Sequence, residues 1–434
     1  MARTGLCAAK ALLDSGANVL AYDDDAVVLH QAKAQCPALV VAELTIIDWQ
    51  QVNYLLLSPG IPLYGSGLHK AVEMANHYGV EIISDLDILY LACPNATYIG
   101  ITGTNGKSTT AALMAHVLRE VKRNVQLGGN IGLPVLQLQP QEDGFFVLEL
   151  SSYQLDLIRY LYLDFSIITN ITIDHIDRHG TIERYVEAKS KILERLQPQG
   201  TAILSIDYPY TKNLVSSSSK TAHVSQVNSS ADVFIKDRML HDNINKTIYD
   251  FTDYLHLPGS HNEENIATVY ATLLACGVES EQIVPAIKTF KGLEHRIQTV
   301  FKTNYLTFIN DSKATNADAA EKALCCYKNI YWIAGGLAKE GGITSLLPLI
   351  QTNVVLTLLI GTAQLAFAQT LNELNLPYVL AGTLEKALNY LNNIPNAKGV
   401  VLFSPACASM DQFKNYEHRG EEFRRLVIEK FSDK

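Results

Sequence analysis

The sequence predicts an α/β chain of three domains, and three observations predict it. Its 434 residues amount to roughly three domains at about 150 residues each. Short apolar runs alternate with helix-period runs along most of the chain, the rhythm of parallel sheets covered by helices. Several apolar runs end directly in Gly, Ser, Thr, Asn, Asp or His, the composition of ligand loops at strand ends. The hydrophobic fraction of 48% against 18% charged suffices for sizeable cores and excludes wholesale disorder.

In the first domain, expected over residues 1–85, Thr4 to Ser15 has helical periodicity and stops at Gly16, a C-cap residue. Asn18 to Asp23 reads as a strand ending in acidic residues. Tyr54 to Ser58 is a strand broken by Pro59-Gly60, Leu68 to Tyr78 a helix, and Glu81 to Ser84 a short strand. The second domain, 86–291, opens with a strand at Tyr98, a glycine turn and a helix over Ser108 to Glu120. Phe145–Leu150 and Phe165–Asn170 are buried strands, and Ile182 to Leu196 a helix. From about Ser216 to Asp253 the chain turns Ser/Asn-rich, which predicts small antiparallel strands, with Ser216–Ser219 as a surface loop. The third domain, 292–434, has strands at Leu306–Asn310, Tyr331–Ala334, Val354–Ile360 and Val400–Phe403 alternating with helices.

Charge and cysteine content narrow the function. Lys+Arg 35 against Asp+Glu 44 leaves −9, a poor balance for a nucleic-acid binder, which must displace counterions with basic charge. Anions can still be held locally by a few placed donors. Seven cysteines without a C-x-x-C pair fit neither a disulfide framework nor a zinc site, and point to the cytoplasm. The greasiest run, Val354 to Ile360, is too short to span a bilayer, so no membrane partner is expected.

The strongest chemical signal is Gly103-Thr-Asn-Gly-Lys-Ser108 between a strand and a helix. Small residues let backbone N–H groups wrap a phosphate, the helix N-terminus adds its dipole, the lysine adds charge and the hydroxyl reaches Mg²⁺. The spacing departs from G-x-x-x-x-G-K-[ST], because Ile101 stands at the first glycine position; the alternative is an ordinary glycine-rich turn. Glu149 and Asp174-His175 follow strands and offer hard-metal ligands. The alternatives are a capping carboxylate and a loop histidine. Lys189 lies on a predicted helix, where lysines usually face water. Four further polar clusters, Leu257–Asn265, Leu293–Arg296, Asn310–Asn316 and Ser404–Ser409, together mark a shared ligand cleft; singly they read as a helix N-cap, solvated surface or a tight turn. His295-Arg296 alone reads as solvated surface.

Thr102–Thr109, Leu148–Gln154, Asp174–Arg178 and His295-Arg296 resemble the motifs of the Mur ligases of peptidoglycan synthesis. Gly128–Gly132, Leu257–Asn262, Asn310–Asn316 and Ser404–Tyr416 resemble those members that add D-glutamate to UDP-N-acetylmuramoyl-L-alanine. The match runs in order over essentially the whole chain. The resemblance implies a P-loop-type central ATPase domain between two Rossmann-like domains, the first holding the UDP portion and the last the amino acid. It implies ATP-dependent amide formation through an acyl phosphate, releasing ADP and phosphate, in a cytoplasmic monomer using Mg²⁺.

Carried over by position, Lys107, His175 and Lys189 would be catalytic. Gly103, Thr104, Asn105, Gly106, Lys107, Ser108, Thr109, Asn262, Asn265, His295, Arg296 and Asp311 would bind ATP. Ser108, Glu149, His175 and a carbamylated Lys189 would hold Mg²⁺. Arg3, Thr4, Asp23, Ser58 and Asn130 would contact the nucleotide-sugar substrate. Thr315, Lys339, Ser409, Met410 and Tyr416 would frame D-glutamate, with Tyr416 where the family often has Phe. The family starts with a strand and a glycine-rich turn, whereas Met1–Gly5 begins at that turn, so either the start is mis-assigned or truncated, or the first domain lacks its first strand. The other readings are a family member using a different amino acid, a folylpolyglutamate synthase, or a non-catalytic nucleotide-binding paralogue.

Overall fold

The computed structural model describes residues 1, 3–64, 67–214, 220–254, 256–338 and 341–432. The chain is α/β throughout and divides into two compact units. One comprises Met1–Thr252 with Glu263–Phe290, the other Asp253–Asn262 with Lys291–Lys434.

The first unit begins with helix Arg3–Asp14, ended by Gly16 at φ 85°, a left-handed position that suits glycine. Its first strands are short: β1 (Leu20–Ala21), β2 (Val40–Val41), β3 (Tyr54–Leu56) and β4 (Glu81–Ile83). They form two separate parallel pairs, β1 with β2 and β3 with β4. The expected strand Asn18–Asp23 thus shrinks to two residues. Its neighbours are only a small apolar cluster of Ala9, Ala21, Ala32, Cys36 and Leu39.

The centre of this unit is a nine-stranded sheet of β5 (Thr97–Thr102), β6 (Val125–Gly129), β7 (Phe145–Glu149), β8 (Leu163–Ile168), β9 (Leu196–Ser205), β10 (Lys220–Ser225), β11 (Val233–Lys236), β12 (Met239–Asp242) and β13 (Thr247–Asp250). The order is β13-β12-β11-β10-β9-β8-β5-β7-β6. Strands β5 to β11 pair in parallel, and only β11–β12 and β12–β13 are antiparallel. The expected small antiparallel flank is β11 to β13, while β10 extends the parallel sheet beside β9. The reversal comes at Asp237-Arg238, with φ of 50° and 67°, the doubly left-handed turn that matches strand twist in a two-residue hairpin. The expected loop Ser216–Ser219 lies outside the described residues. Helix Lys107–Glu120 leaves β5 buried on nearly every face, as a helix between sheet and outer helices must be. Tyr98, Phe146, Leu148, Leu163 and Ile168 are all 1% exposed or less. Burying each such side chain is worth roughly 1.5–3 kcal/mol, so the strand ends that carry the site are rigidly based.

The second unit is a six-stranded sheet with β14 (Gln298–Lys302), β15 (Leu306–Asn310), β16 (Ile330–Gly335), β17 (Val354–Ile360), β18 (Tyr378–Gly382) and β19 (Gly399–Phe403). The order is β14-β15-β19-β16-β17-β18. Only β14 is antiparallel. Two apolar clusters cover the two faces, one around Trp332, Leu359 and Leu402 and one around Phe308, Phe403 and Phe423. This is a doubly wound sheet, whose carboxyl edge is the expected ligand side.

Candidate active site

The glycine turn after β5 is held by the neighbouring strand end. Thr104 N–H donates to Asn170 O at 2.8 Å, Asn105 N–H to Asn170 Oδ1 at 2.8 Å, and Thr169 Oγ1 to Asn105 O at 2.7 Å. Gly106 sits at φ 83° and caps helix Lys107–Glu120 with no side-chain hydrogen bond to the first-turn N–H groups. Those donors and the positive dipole end therefore face the loop, the arrangement that takes a phosphate. Any Cβ at Gly106 would fall 2.5 Å from Asn265 Oδ1. Thr110 donates to the same Asn265 oxygen at 3.1 Å. Asn265 thus lies at the loop. Lys107 Nζ folds back onto Gly103 O and Thr104 O at 3.0 and 2.9 Å. Ser108 and Thr109 are buried at the head of the helix.

Beside the loop lies the metal-ligand set. Glu149, 2% exposed, accepts from Asn130 Nδ2 at 3.0 Å on Oε1. Its Oε2 is buried with no hydrogen-bond partner, an orphaned oxygen that a bound cation would satisfy. Lys189, also 2% exposed, reaches Thr102 Oγ1 at 3.5 Å and lies over the Tyr185 ring. Burial first, and the charge of Lys107 second, push its amine down to about 7. The reading of Lys189 as a water-facing helix lysine is wrong: its helix turns this position inward. His175 is half-exposed at φ 52°, beside Asp174 and within 3.3 Å of Tyr153 Oη. The donor set of carboxylate, imidazole and hydroxyl, with one orphaned oxygen, fits Mg²⁺.

The nucleotide-sugar candidates gather near the first helix. Arg3 Nη2 donates to Gly132 O at 3.0 Å, and the Met1 amine bonds Asp23. Ser58 Oγ lies 3.7 Å from where a Cβ at Gly5 would stand. Thr4 is in the helix's first turn. Asn130 bonds Glu149 through both its side chain and its N–H. A cleft of about 700 Å³ in the same unit is lined by Ile61, Tyr64, Arg178, His179, Arg184 and Lys191, among others.

In the second unit, the remaining candidates pack around the ends of β15 and β19. Asp311 accepts from Ile297 N–H at 3.1 Å and Ser404 Oγ at 2.7 Å, and burial pushes its carboxyl up to about 7. The Arg296 Nε–H is buried without a hydrogen-bond partner. Asn262 Nδ2 donates to Pro258 O. His295, read from sequence as solvated, is 5% exposed. Asn310 Nδ2 donates to His295 Nδ1 at 3.1 Å and to Gly420 O, while Asn310 Oδ1 accepts from Ser312 N–H. That fixes the amide, so Nδ1 is the acceptor and Nε2 carries the proton, pointing to Glu421 at 3.7 Å. Glu294, His295 and Glu421 stand close enough to suggest a cation site, but a protonated Nε2 has no lone pair to offer one. Thr315 is half-buried, Ser409 buried, and Met410 73% exposed. Tyr416 meets the His295 ring edge-on at 6.3 Å. Lys339 lies outside the described residues.

The Mur ligase middle domain matches residues 101–273. A UDP-N-acetylmuramoylalanine–D-glutamate ligase of Agrobacterium fabrum is 41% identical over 97% of this chain and 92% of that protein. One of Phenylobacterium zucineum is 40% identical, covering 100% of this chain and 95% of its own length. The chain belongs to the Mur ligase family. Among solved structures, UDP-N-acetylmuramate-alanine ligase of Thermotoga maritima aligns with a TM-score of 0.62 at 18% identity, covering 99% of this chain and 98% of that one. MurF of Acinetobacter baumannii gives 0.62 at 19%, over 87% and 93%. These share the Mur ligase fold.

Sequence reasoning missed several residues that build this Mur ligase site. Thr169 and Asn170 brace the phosphate loop, and their place at the end of a buried strand was the available signal. Asp174, which the sequence did single out beside His175, sits close enough to Lys189 to favour its charge. Arg419 carried no local signal, being one charged residue on a charged helix.

Proposed function

We propose that this Mur ligase joins D-glutamate to the carboxylate of UDP-N-acetylmuramoyl-L-alanine, with ATP converted to ADP and phosphate. The observation that carries the reading is 41% identity, over 97% of the chain, to a relative of that name. The geometry supports it. An amide cannot form from a carboxylate without activation, and transfer of the ATP γ-phosphate to that carboxylate gives an acyl phosphate for the amine to attack.

The chain's part in the first step is to bring anions together. The Gly103–Ser108 loop amides cradle the phosphates, and Lys107, released from Gly103 O and Thr104 O, neutralises the transferring group. Ser108, Glu149 and His175 would hold Mg²⁺, which supplies Lewis-acid neutralisation of phosphate charge when bound. With its amine pushed down to about 7, a sizeable fraction of Lys189 is neutral at neutral pH; that neutral amine would add to the carbon of CO₂ and lose a proton, giving a carbamate. The carbamate would put an anion next to Lys107 and complete the acidic shell around Mg²⁺. Asn130 orients Glu149.

The roles divide along residues 1–85 for the UDP portion, 86–291 for ATP and 292–434 for the amino acid. The seven cysteines, free in the structure, suit a reducing cytoplasm. No helix among the described residues is long and apolar enough to cross a membrane.

The test is phosphate release with ATP, Mg²⁺ and UDP-N-acetylmuramoyl-L-alanine plus one amino acid at a time. Turnover with D-glutamate and background release with L-glutamate, L-lysine and D-alanine are expected. Turnover with another amino acid alone would assign a different family member, and none with any would leave a non-catalytic paralogue.

A further inference from the structure

Arg419 stands in the first turn of helix Tyr416–Phe431 yet is 1% exposed. Burying a guanidinium is costly unless its donors are satisfied. Here none of its three hydrogen bonds goes to a carboxylate. Nε donates to Ser312 Oγ at 3.0 Å, Nη2 to Ser312 O at 2.7 Å, and Nη1 to Cys407 O at 3.0 Å. Ser312 opens the loop after β15, and Cys407 lies in the loop after β19. The loop after β16 joins them, because Leu337 and Ala408 exchange both backbone bonds. A Cβ on Gly336 would stand 3.3 Å from Arg419 Nη1. Three adjacent loops on the ligand edge of a parallel sheet therefore meet on one fixed cation. Thr315 is three residues beyond Ser312, and Ser409 two beyond Cys407.

We propose that Arg419 is a positioning residue for the acidic amino acid, its planar fork fixing the loops after β15 and β19 while its charge favours a dicarboxylate in front of them. This rests on the D-glutamate reading above. Burial lowers the guanidinium to about 10, so it stays charged at neutral pH. In a low-dielectric setting a fixed charge acts over a longer range than in water. A lysine cannot replace it fully, because an ammonium is a point charge without the coplanar fork.

The experiment is initial-rate phosphate release by the full chain with each substrate varied in turn, for wild type, Arg419→Gln and Arg419→Lys. Arg419→Gln is expected to raise KM for D-glutamate about tenfold or more, leaving KM for ATP and for UDP-N-acetylmuramoyl-L-alanine within about twofold. Arg419→Lys is expected to raise it about threefold, since charge is kept and the fork is lost. An unchanged KM for D-glutamate, or three KM values rising together, overturns the proposal. Thermal melting accompanies the assay; if Arg419→Gln melts below the assay temperature, Arg419→Lys decides by the same criterion. A wild type that shows no D-glutamate-dependent release fails the underlying reading, and a working wild type with unaffected variants fails this proposal alone.

Discussion

Lys107 lies close enough to Lys189 to depress it, yet the two lysines need opposite things. Lys107 must stay cationic to meet phosphate. Lys189, pushed down to about 7 by burial and by Lys107, is set to lose its proton. Lys107→Ala is expected to cut kcat for phosphate release about 10³-fold, the scale of losing one charge-stabilising group in a phosphoryl transfer; near-normal turnover would remove the phosphate-loop reading. Lys189→Ala is expected to be about as damaging, and millimolar acetate or formate to restore part of the rate by standing in for the carbamate. The sign of the pH effect follows from the neutral amine being the CO₂ acceptor. Above about 7 Lys189 is mostly neutral, and below it the proton blocks carbamate formation. Activity should therefore fall as pH drops from 8 to 6, and added bicarbonate should offset part of the fall. A profile flat to bicarbonate with no carboxylate rescue would sink the carbamate.

At the scale of elements, β6 and β7 show how a backbone contact serves the site. Gly129 ends β6 at φ 94°, and a Cβ there would fall 2.3 Å from Glu149 O. The next residue, Asn130, bonds Glu149 through backbone and side chain. Gly129→Ala is therefore expected to cost about 1–3 kcal/mol in urea unfolding, the range for strain at a special backbone position. It should also raise the Mg²⁺ concentration needed for half-maximal activity. Wild-type stability and metal demand together would refute this role. Elements also explain what could be read in advance. The phosphate loop was legible because its chemistry needs contiguous residues, Gly103 to Ser108. Buried strands such as Phe145–Glu149 were legible by their unbroken apolar runs. Lys189, His295 and Arg419 were not, since burial of a polar residue on a charged segment is decided by which face packs inward. The strand Gln298–Lys302 was missed because its half-exposed edge mixes polar and apolar residues, and the Asp237-Arg238 hairpin lacks the glycine that usually marks such a turn.

Across the whole molecule, stability is unevenly shared, and the nucleotide-sugar candidates sit in its thinnest part. In β1–β2 and β3–β4 the exposed apolar residues include Leu20 at 52%, Val40 at 53% and Tyr54 at 52%. Two-stranded pieces of sheet are marginal in water. Strand β5, by contrast, is buried over five of its six residues and paired on both sides. Amides of β1 to β4 are therefore expected to exchange with solvent through local openings at least ~2 kcal/mol below those of β5. Arg3, Thr4, Asp23 and Ser58 flank these pairs, so a ligand held there should tighten them. At a hundredfold excess over Kd, binding adds about 2.7 kcal/mol to whatever opening releases the ligand. Hydrogen exchange with and without UDP-N-acetylmuramoyl-L-alanine should show protection rising by that order in residues 1–85, with much less change in β5. Equal protection of β1 and β5 without ligand would contradict the uneven stability. Protection that rises in β5 but not in residues 1–85 would move the UDP portion away from Arg3, Asp23 and Ser58.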